Sequence, residues 1–244
     1  VNFDLVNKKY EFGTFVEFDK GFDIYATQTF KDEQGRRILI GWMGIPDAEY
    51  DNDATVLYDW IHALTMPREL SFKDGKLLQK PLKEMQKLHK NEFHCALSEF
   101  TQWEPEDSCF ELYIDFEEKA EKVETVEIIE TIEKEHGQQS HSMKLQLRED
   151  VVLCLEEGLL RLNMGKSGRG RKERAAKVEK LRNLTIFSDT SAIEIFVNDG
   201  ETVMTTRVYS ENLKQKVTFL SKENTGSITG YELGSFIVYH NEEV

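Results

Sequence analysis

Asn183-Leu-Thr-Ile-Phe-Ser188, Ala192-Ile-Glu-Ile-Phe-Val197 and Val203-Met-Thr-Thr-Arg-Val-Tyr209 decide the fold. Apolar side chains in these runs largely alternate with polar ones. That period of two sets one face of a strand against a core and the other away from it. Between the second and third runs, Asn198-Asp199-Gly200 supplies residues that tolerate positive φ, so the pair predicts a hairpin. Glu194, polar within Ile-Glu-Ile-Phe, is expected on the outer face of its sheet.

The pattern continues outward in both directions. Upstream lie Cys109-Phe-Glu-Leu-Tyr-Ile-Asp-Phe116, Ser142-Met-Lys-Leu-Gln-Leu-Arg148, Val151-Val-Leu-Cys-Leu155 and Leu159-Leu-Arg-Leu162. Downstream lie Lys216-Val-Thr-Phe-Leu220, Ser227-Ile-Thr-Gly-Tyr-Glu-Leu233 and Phe236-Ile-Val-Tyr239. Short strands separated by polar turns over such a length predict a two-sheet antiparallel β-sandwich. Two stretches interrupt the alternation. Residues 117–135 mix Glu and Lys with Val and Ile and read as a strand pair with charged outer faces. Residues 166–182 are rich in Lys and Arg and read as a solvated loop followed by an outer strand, not as a polyanion patch.

The N-terminal part is also strand-like, over residues 14–19, 24–30, 37–43 and 60–72, with Gly21, Gly35 and Gly75 between them. Asp74-Gly75 predicts a tight hairpin. Residues 82–89 carry Leu and Met at helical spacing and form a short helix or linker. The domain boundary is placed within residues 86–96, giving units 1–90 and 91–244. The fold class is all-β.

Thirty-one basic against 45 acidic side chains give a formal charge of −14, which repels a polyanion and argues against nucleic acid as partner. No apolar stretch approaches the roughly 20 residues of a membrane-spanning helix, and Val1-Asn-Phe-Asp4 does not open a signal peptide. Cys95, Cys109 and Cys154 have no close-spaced pair and are expected as buried free thiols, which favours a reducing cytoplasm. The histidines His62, His89, His94, His136, His141 and His240 form no ligand pattern, so no metal or other cofactor is expected. Close carboxylate pairs such as Asp51 and Asp53, or Glu156 and Glu157, read as solvated turn residues.

Four ordered stretches carry a family resemblance. Asp19-Lys-Gly-Phe-Asp-Ile-Tyr-Ala-Thr-Gln-Thr-Phe30 and Gly35-Arg-Arg-Ile-Leu-Ile-Gly-Trp-Met-Gly44 are followed by Trp60-Ile-His-Ala-Leu-Thr-Met-Pro-Arg-Glu-Leu-Ser71 and Ser191-Ala-Ile-Glu-Ile-Phe-Val-Asn-Asp-Gly-Glu201. Together they resemble family 32 glycoside hydrolases, the invertases and sucrose-6-phosphate hydrolases. Ile24 and Thr27 depart from the family, which more often has an aromatic and a small residue or proline there. The resemblance implies the last blade-like part of a five-bladed β-propeller followed by the sandwich. It also implies a retaining β-fructofuranosidase acting on sucrose, sucrose 6-phosphate or a related fructoside.

The resemblance makes Asp19, Asp23, Tyr25 and Trp42 the substrate-binding candidates, with the aspartates near the propeller funnel and Trp42 in the pocket wall. Asp23 and Tyr25, two apart on a strand, share a side, and Gln28 takes the other if the strand is regular. The family's three acidic motifs, Trp-Met-Asn-Asp-Pro-Asn-Gly, Arg-Asp-Pro and Glu-Cys-Pro, do not occur, so no catalytic residue is assigned and the chain is expected to be inactive alone. Arg68 is expected to be structural, at the blade's hairpin. Two other readings are a sugar-binding or assembly sandwich module without turnover, and one part of a split enzyme. A blade-like sheet without neighbours leaves edges and apolar surface uncovered, so self-association is expected.

Overall fold

The structure is a computed structural model that describes residues 2–117, 143–212, 214–221 and 224–235. A two-stranded ribbon of β1 (Asn2–Asp4) and β2 (Lys9–Glu11) opens the chain. A five-stranded antiparallel sheet follows, built from β3 (Tyr25–Lys31), β4 (Arg37–Met43), β5 (Ala63–Leu64), β6 (Arg68–Lys73) and β7 (Lys76–Pro81). Its order is β3-β4-β6-β7, with β5 also paired to β4. The β6–β7 hairpin turns at Asp74 (φ 50°) and Gly75 (φ 77°), the two positive φ values that a twist-matched two-residue loop requires.

Two expected strands differ. Residues 60–72 split into β5 and β6 around Pro67, which has no N–H for a ladder. At the break, Thr65 N–H donates to the Gly41 carbonyl at 2.8 Å, and Gly41 N–H donates to Thr65 Oγ1 at 3.0 Å. Residues 14–19 form no strand: the Phe18 carbonyl accepts from the Gln79 side chain, and backbone bonds to the second unit begin only at Lys20. Within β3 the register slips between Tyr25 and Gln28, with Ala26 at φ 45°, so the strand is bulged and strict alternation does not apply across it.

A 3-10 turn over Lys83–Leu88 leads into the second unit. This contains β8 (His89–Ala96), β9 (Gln102–Trp103), β10 (Phe110–Phe116), β11 (Met143–Gln146), β12 (Val152–Glu156), β13 (Leu159–Asn163), β14 (Glu173–Lys177), β15 (Asn183–Asp189), β16 (Ala192–Val197), β17 (Thr202–Arg207), β18 (Val217–Phe219) and β19 (Gly226–Leu233). They form two six-stranded antiparallel sheets, ordered β17-β16-β15-β10-β19-β8 and β14-β13-β12-β11-β18-β9. Leu112, Ile114, Ile186 and Ile195 from the first sheet and Leu145, Leu153, Leu160 and Leu162 from the second are fully buried in one shared core. Each such side chain contributes roughly 1.5–3 kcal/mol of burial. Residues 166–182 are a loop and an outer strand as expected, β14 lying at a sheet edge, but the loop is not solvated throughout: Ser167, Gly168 and Arg171 are buried, because Arg171 pairs with Asp23. The strands expected at 236–239 and, beyond Glu117, at 118–135 lie outside the described residues.

The alternation that fills this core leaves Phe187, Glu194, Phe196, Val203 and Thr205 on the opposite face. They are buried all the same, because the first unit covers them. Met85 packs with Phe187, Phe196 and Val203 in a second apolar cluster, flanked by Met66 and Leu88. The β16–β17 hairpin tip reaches β7, with Gln79 N–H donating to the Gly200 carbonyl at 3.1 Å. Large exposed apolar side chains, by contrast, gather in the first 81 residues, among them Phe12, Phe15, Phe30, Leu57, Leu64 and Phe72.

A Cβ at Gly200 would overlap the Gln79 carbonyl oxygen, and the glycine also holds φ 83°. Gly200→Ala is expected to destabilise the chain by about 1–3 kcal/mol in urea unfolding. Gly13→Ala, which meets nothing within 4 Å, is expected to leave the midpoint unmoved.

Candidate functional site

The site begins with an exposed ladder problem. Strand β17 is the last strand of its sheet, and an edge strand presents N–H and C=O groups that need partners when buried. Residues 19–23 provide them. Lys20 N–H donates to the Val203 carbonyl, and the N–H groups of Phe22 and Asp23 both donate to the Thr205 carbonyl, at 2.7–3.0 Å. In the other direction the acceptors are side chains. Asp19 Oδ1 accepts from Thr205 N–H at 3.0 Å, and Asp23 Oδ2 accepts from Arg207 N–H at 2.8 Å. Gly21 sits between them because any Cβ there would overlap the Thr205 backbone. The Asp-x-Gly-x-Asp spacing is therefore a clamp on the β17 edge.

Each aspartate then needs a cation, since a buried carboxylate without one is costly. Asp19 Oδ2 takes Arg68 Nη1 at 3.1 Å and the Thr205 hydroxyl at 2.5 Å. Arg68, fully buried, also donates Nη2 to Glu194 Oε2 at 2.6 Å and Nη1 to Gln79 Oε1 at 3.0 Å, and lies 5.3 Å from the Phe196 ring centre. Burial works against the charge on Arg68, but Glu194 and Asp19 outweigh it and hold its pKa above the ordinary value. Burial pushes Glu194 up, against the pull of Arg68. At the second aspartate, Arg171 binds Asp23 through Nε and Nη2, both at 2.7 Å. The same guanidinium donates to the Asn52 side chain at 2.5 Å and the Asp51 carbonyl at 3.0 Å, and stacks 4.1 Å from the Tyr50 ring centre.

This corrects two of the substrate-binding candidates. Asp19 and Asp23 are buried, and their four carboxylate oxygens are committed to protein donors, so neither is open to a sugar. Glu194 lies on the outer face of its sheet, as expected, but is covered there by the first unit and paired with Arg68. Arg68 is structural, as expected, though at the junction of the two units. Arg171 and Arg207 were missed. Their signal was a cation within a run read as solvated loop, and one ending a strand whose other members are buried.

Tyr25 and Trp42 remain together on the outside. They are paired across β3 and β4, their rings lie 6.0 Å apart edge to face, and Tyr25 is 52% exposed. His62 joins them, its ring 4.8 Å from that of Trp42 at an interplanar angle of 80°. An open hollow of about 470 Å³ continues past His62, bounded by Ile61 and the 45–53 loop. Burial, then the nearby Arg207 charge, holds the His62 pKa below the ordinary histidine value. Among the described residues no three His, Cys, Asp or Glu side chains gather as a metal site, and no helix is long and apolar enough to cross a membrane. Cys95, Cys109 and Cys154 are unpaired. They are part-buried, less enclosed than expected.

Three antiparallel sheets, with an aromatic pair on the first and an acidic clamp joining it to the other two, define an all-β protein of two packed units. Residues 1–81 match the N-terminal domain and residues 82–235 the C-terminal domain of glycosyl hydrolases family 32, so the chain belongs to that family. A sucrose-6-phosphate hydrolase of Staphylococcus xylosus is 39% identical over 222 residues, spanning 86% of this chain and 41% of the relative. The Bacillus subtilis sucrose-6-phosphate hydrolase is 32% identical over 198 residues, 81% of this chain and 38% of its own. The chain thus spans about two fifths of these relatives. The structure of sucrose-6-phosphate hydrolase from Lactobacillus gasseri superposes with a TM-score of 0.72 at 24% identity, over 90% of this chain and 43% of that one. A Bombyx mori family 32 β-fructofuranosidase in complex with sucrose superposes at 0.67 and 20% identity, over 94% and 45%.

Removing one partner of the buried cluster leaves charges stranded. Arg68→Met is expected to cost about 3–5 kcal/mol in urea unfolding. Adding Glu194→Leu to Arg68→Met is expected to recover part of that loss, because one of the two stranded carboxylates goes with it.

Proposed function

We propose that this chain is the C-terminal part of a retaining β-fructofuranosidase that hydrolyses sucrose or sucrose 6-phosphate. The observation that carries the reading is the open Tyr25–Trp42 pair, held on the segment that matches the family 32 N-terminal domain. An aromatic face covers the apolar side of a sugar ring, and a phenol hydroxyl can donate to or accept from its hydroxyls. The relatives' names, all sucrose-6-phosphate hydrolases among those most similar, support the substrate class.

Retaining hydrolysis uses two carboxyl groups roughly 5 Å apart, one attacking the anomeric carbon and one protonating the leaving oxygen. Asp19 and Asp23, the carboxylates of the segment that leads into Tyr25, are committed to Arg68 and Arg171. On this reading the nucleophile and the acid/base come from the part of the family 32 fold that this chain does not span, and this chain contributes one wall of the sugar site. A cytoplasmic setting is supported by three unpaired cysteines.

Purified chain is expected to release no fructose from either sugar, while a form extended upstream to family 32 length is expected to do so. Within the active form, Trp42→Ala is expected to lower kcat/KM about tenfold or more, the loss of roughly 1.4 kcal/mol of ring contact. Turnover by the short chain alone would overturn the assignment of the carboxylates.

The exposed apolar side chains of the first 81 residues belong, on this reading, against adjoining sheets of the same domain. Without those sheets the chain is expected to self-associate at micromolar concentration. A monodisperse 28.4 kDa monomer in light scattering would count against it.

A further inference from the structure

Arg207 ends β17 and is fully buried, yet its guanidinium donates to no carboxylate among the described residues. Its Nε donates to the Ser191 carbonyl at 2.9 Å and Nη2 to the Ser191 hydroxyl at 3.0 Å, which fixes the group to its own sheet. Its remaining arm crosses to the first unit. Nη1 donates to the Ile61 carbonyl at 3.3 Å, and the guanidinium lies 5.2 Å from the Trp60 ring centre and 5.3 Å from that of Tyr209. Burying a cation on two carbonyls, one hydroxyl and ring faces is expensive compared with an apolar side chain of the same volume. Something other than packing is being held.

What it holds is the backbone beside His62. The His62 ring fits against Trp42 only because residue 44 is glycine, where a Cβ would come within 2.6 Å of His62 Cδ2. Trp42 in turn touches Tyr25. A continuous row thus runs from Arg207 through Ile61, His62 and Trp42 to Tyr25, and every link after Arg207 lies in the first unit. Arg207 also donates its backbone N–H to Asp23, two residues before Tyr25, so the row is anchored at both ends on one residue.

We propose that Arg207 is a positioning residue for the sugar site, setting the orientation of Trp42 through His62, so that the second unit contributes to substrate affinity without touching substrate. The inference rests on the hydrolase reading above. A shift of about an ångström in a binding wall can change rates by two orders of magnitude, so a residue acting at one remove suffices.

The test uses the upstream-extended form, with sucrose as substrate. Arg207→Met and His62→Ala are each expected to raise KM about tenfold with kcat changed less than twofold, and Arg207→Lys to recover part of the loss. If the effect passes through His62, Arg207→Met adds little to His62→Ala, a strongly non-additive cycle. In the 244-residue chain itself, Arg207→Met is expected to raise the His62 pKa as followed by NMR, because a neighbouring positive charge is gone. Less folded protein with an unchanged KM, or additive effects of the two substitutions, would overturn the inference while the hydrolase reading stands. Wild-type extended enzyme that cleaves neither sugar would overturn the hydrolase reading, and the role of Arg207 with it.

Discussion

The unsatisfied edge of β17 is the constraint on which the arrangement of this molecule depends. An edge strand in the interior needs acceptors for its N–H groups, and here two of them are the carboxylates of Asp19 and Asp23. Using charged acceptors strengthens the hydrogen bonds but commits the interior to counter-charges. Arg68 from the first unit and Arg171 from the second meet that need, and because Arg68 also pairs with Glu194 the junction is crossed by ion pairs in both senses. Thr205, Gln79 and Asn52 then occupy the donors and acceptors that remain.

This junction changes what the Asp-x-Gly-x-Asp-x-Tyr stretch means. Its residue types suit sugar recognition, since carboxylates accept hydroxyl hydrogen bonds and a tyrosine covers a ring. The fold divides the labour along the stretch. The two aspartates turn inward to the β17 edge, Gly21 permits the approach, and Tyr25, the first residue of β3, leaves its ring outward beside Trp42. One short segment thereby fixes the two units together and presents an aromatic surface a few residues later.

The two units differ in how completely they satisfy their own surfaces. The two-sheet unit encloses its core with Leu, Ile and Val from both sheets. The five-stranded sheet has one face against that unit and keeps Phe30, Leu64 and Phe72 exposed. A chain spanning about two fifths of its relatives, matched over 81 residues to their N-terminal domain, accounts for apolar surface concentrated in that part.

By itself the sequence determined the strands, because alternation and positive-φ turn residues act within a few residues of one another. The hairpins at Asp74-Gly75 and Asn198-Asp199-Gly200 and the strands Phe110–Phe116, Asn183–Asp189 and Ala192–Val197 were all legible this way. It also determined the family, through ordered motifs. It did not determine which polar residues would be buried. Glu194 reads as outward-facing, and it is, but whether an outer face meets water or another sheet depends on contacts more than 100 residues apart, such as Met66 with Glu194 and Arg171 with Asp23. Charge type is local and charge pairing is not, so only the tertiary structure decided that the aspartates hold the fold and the neighbouring aromatics stay open.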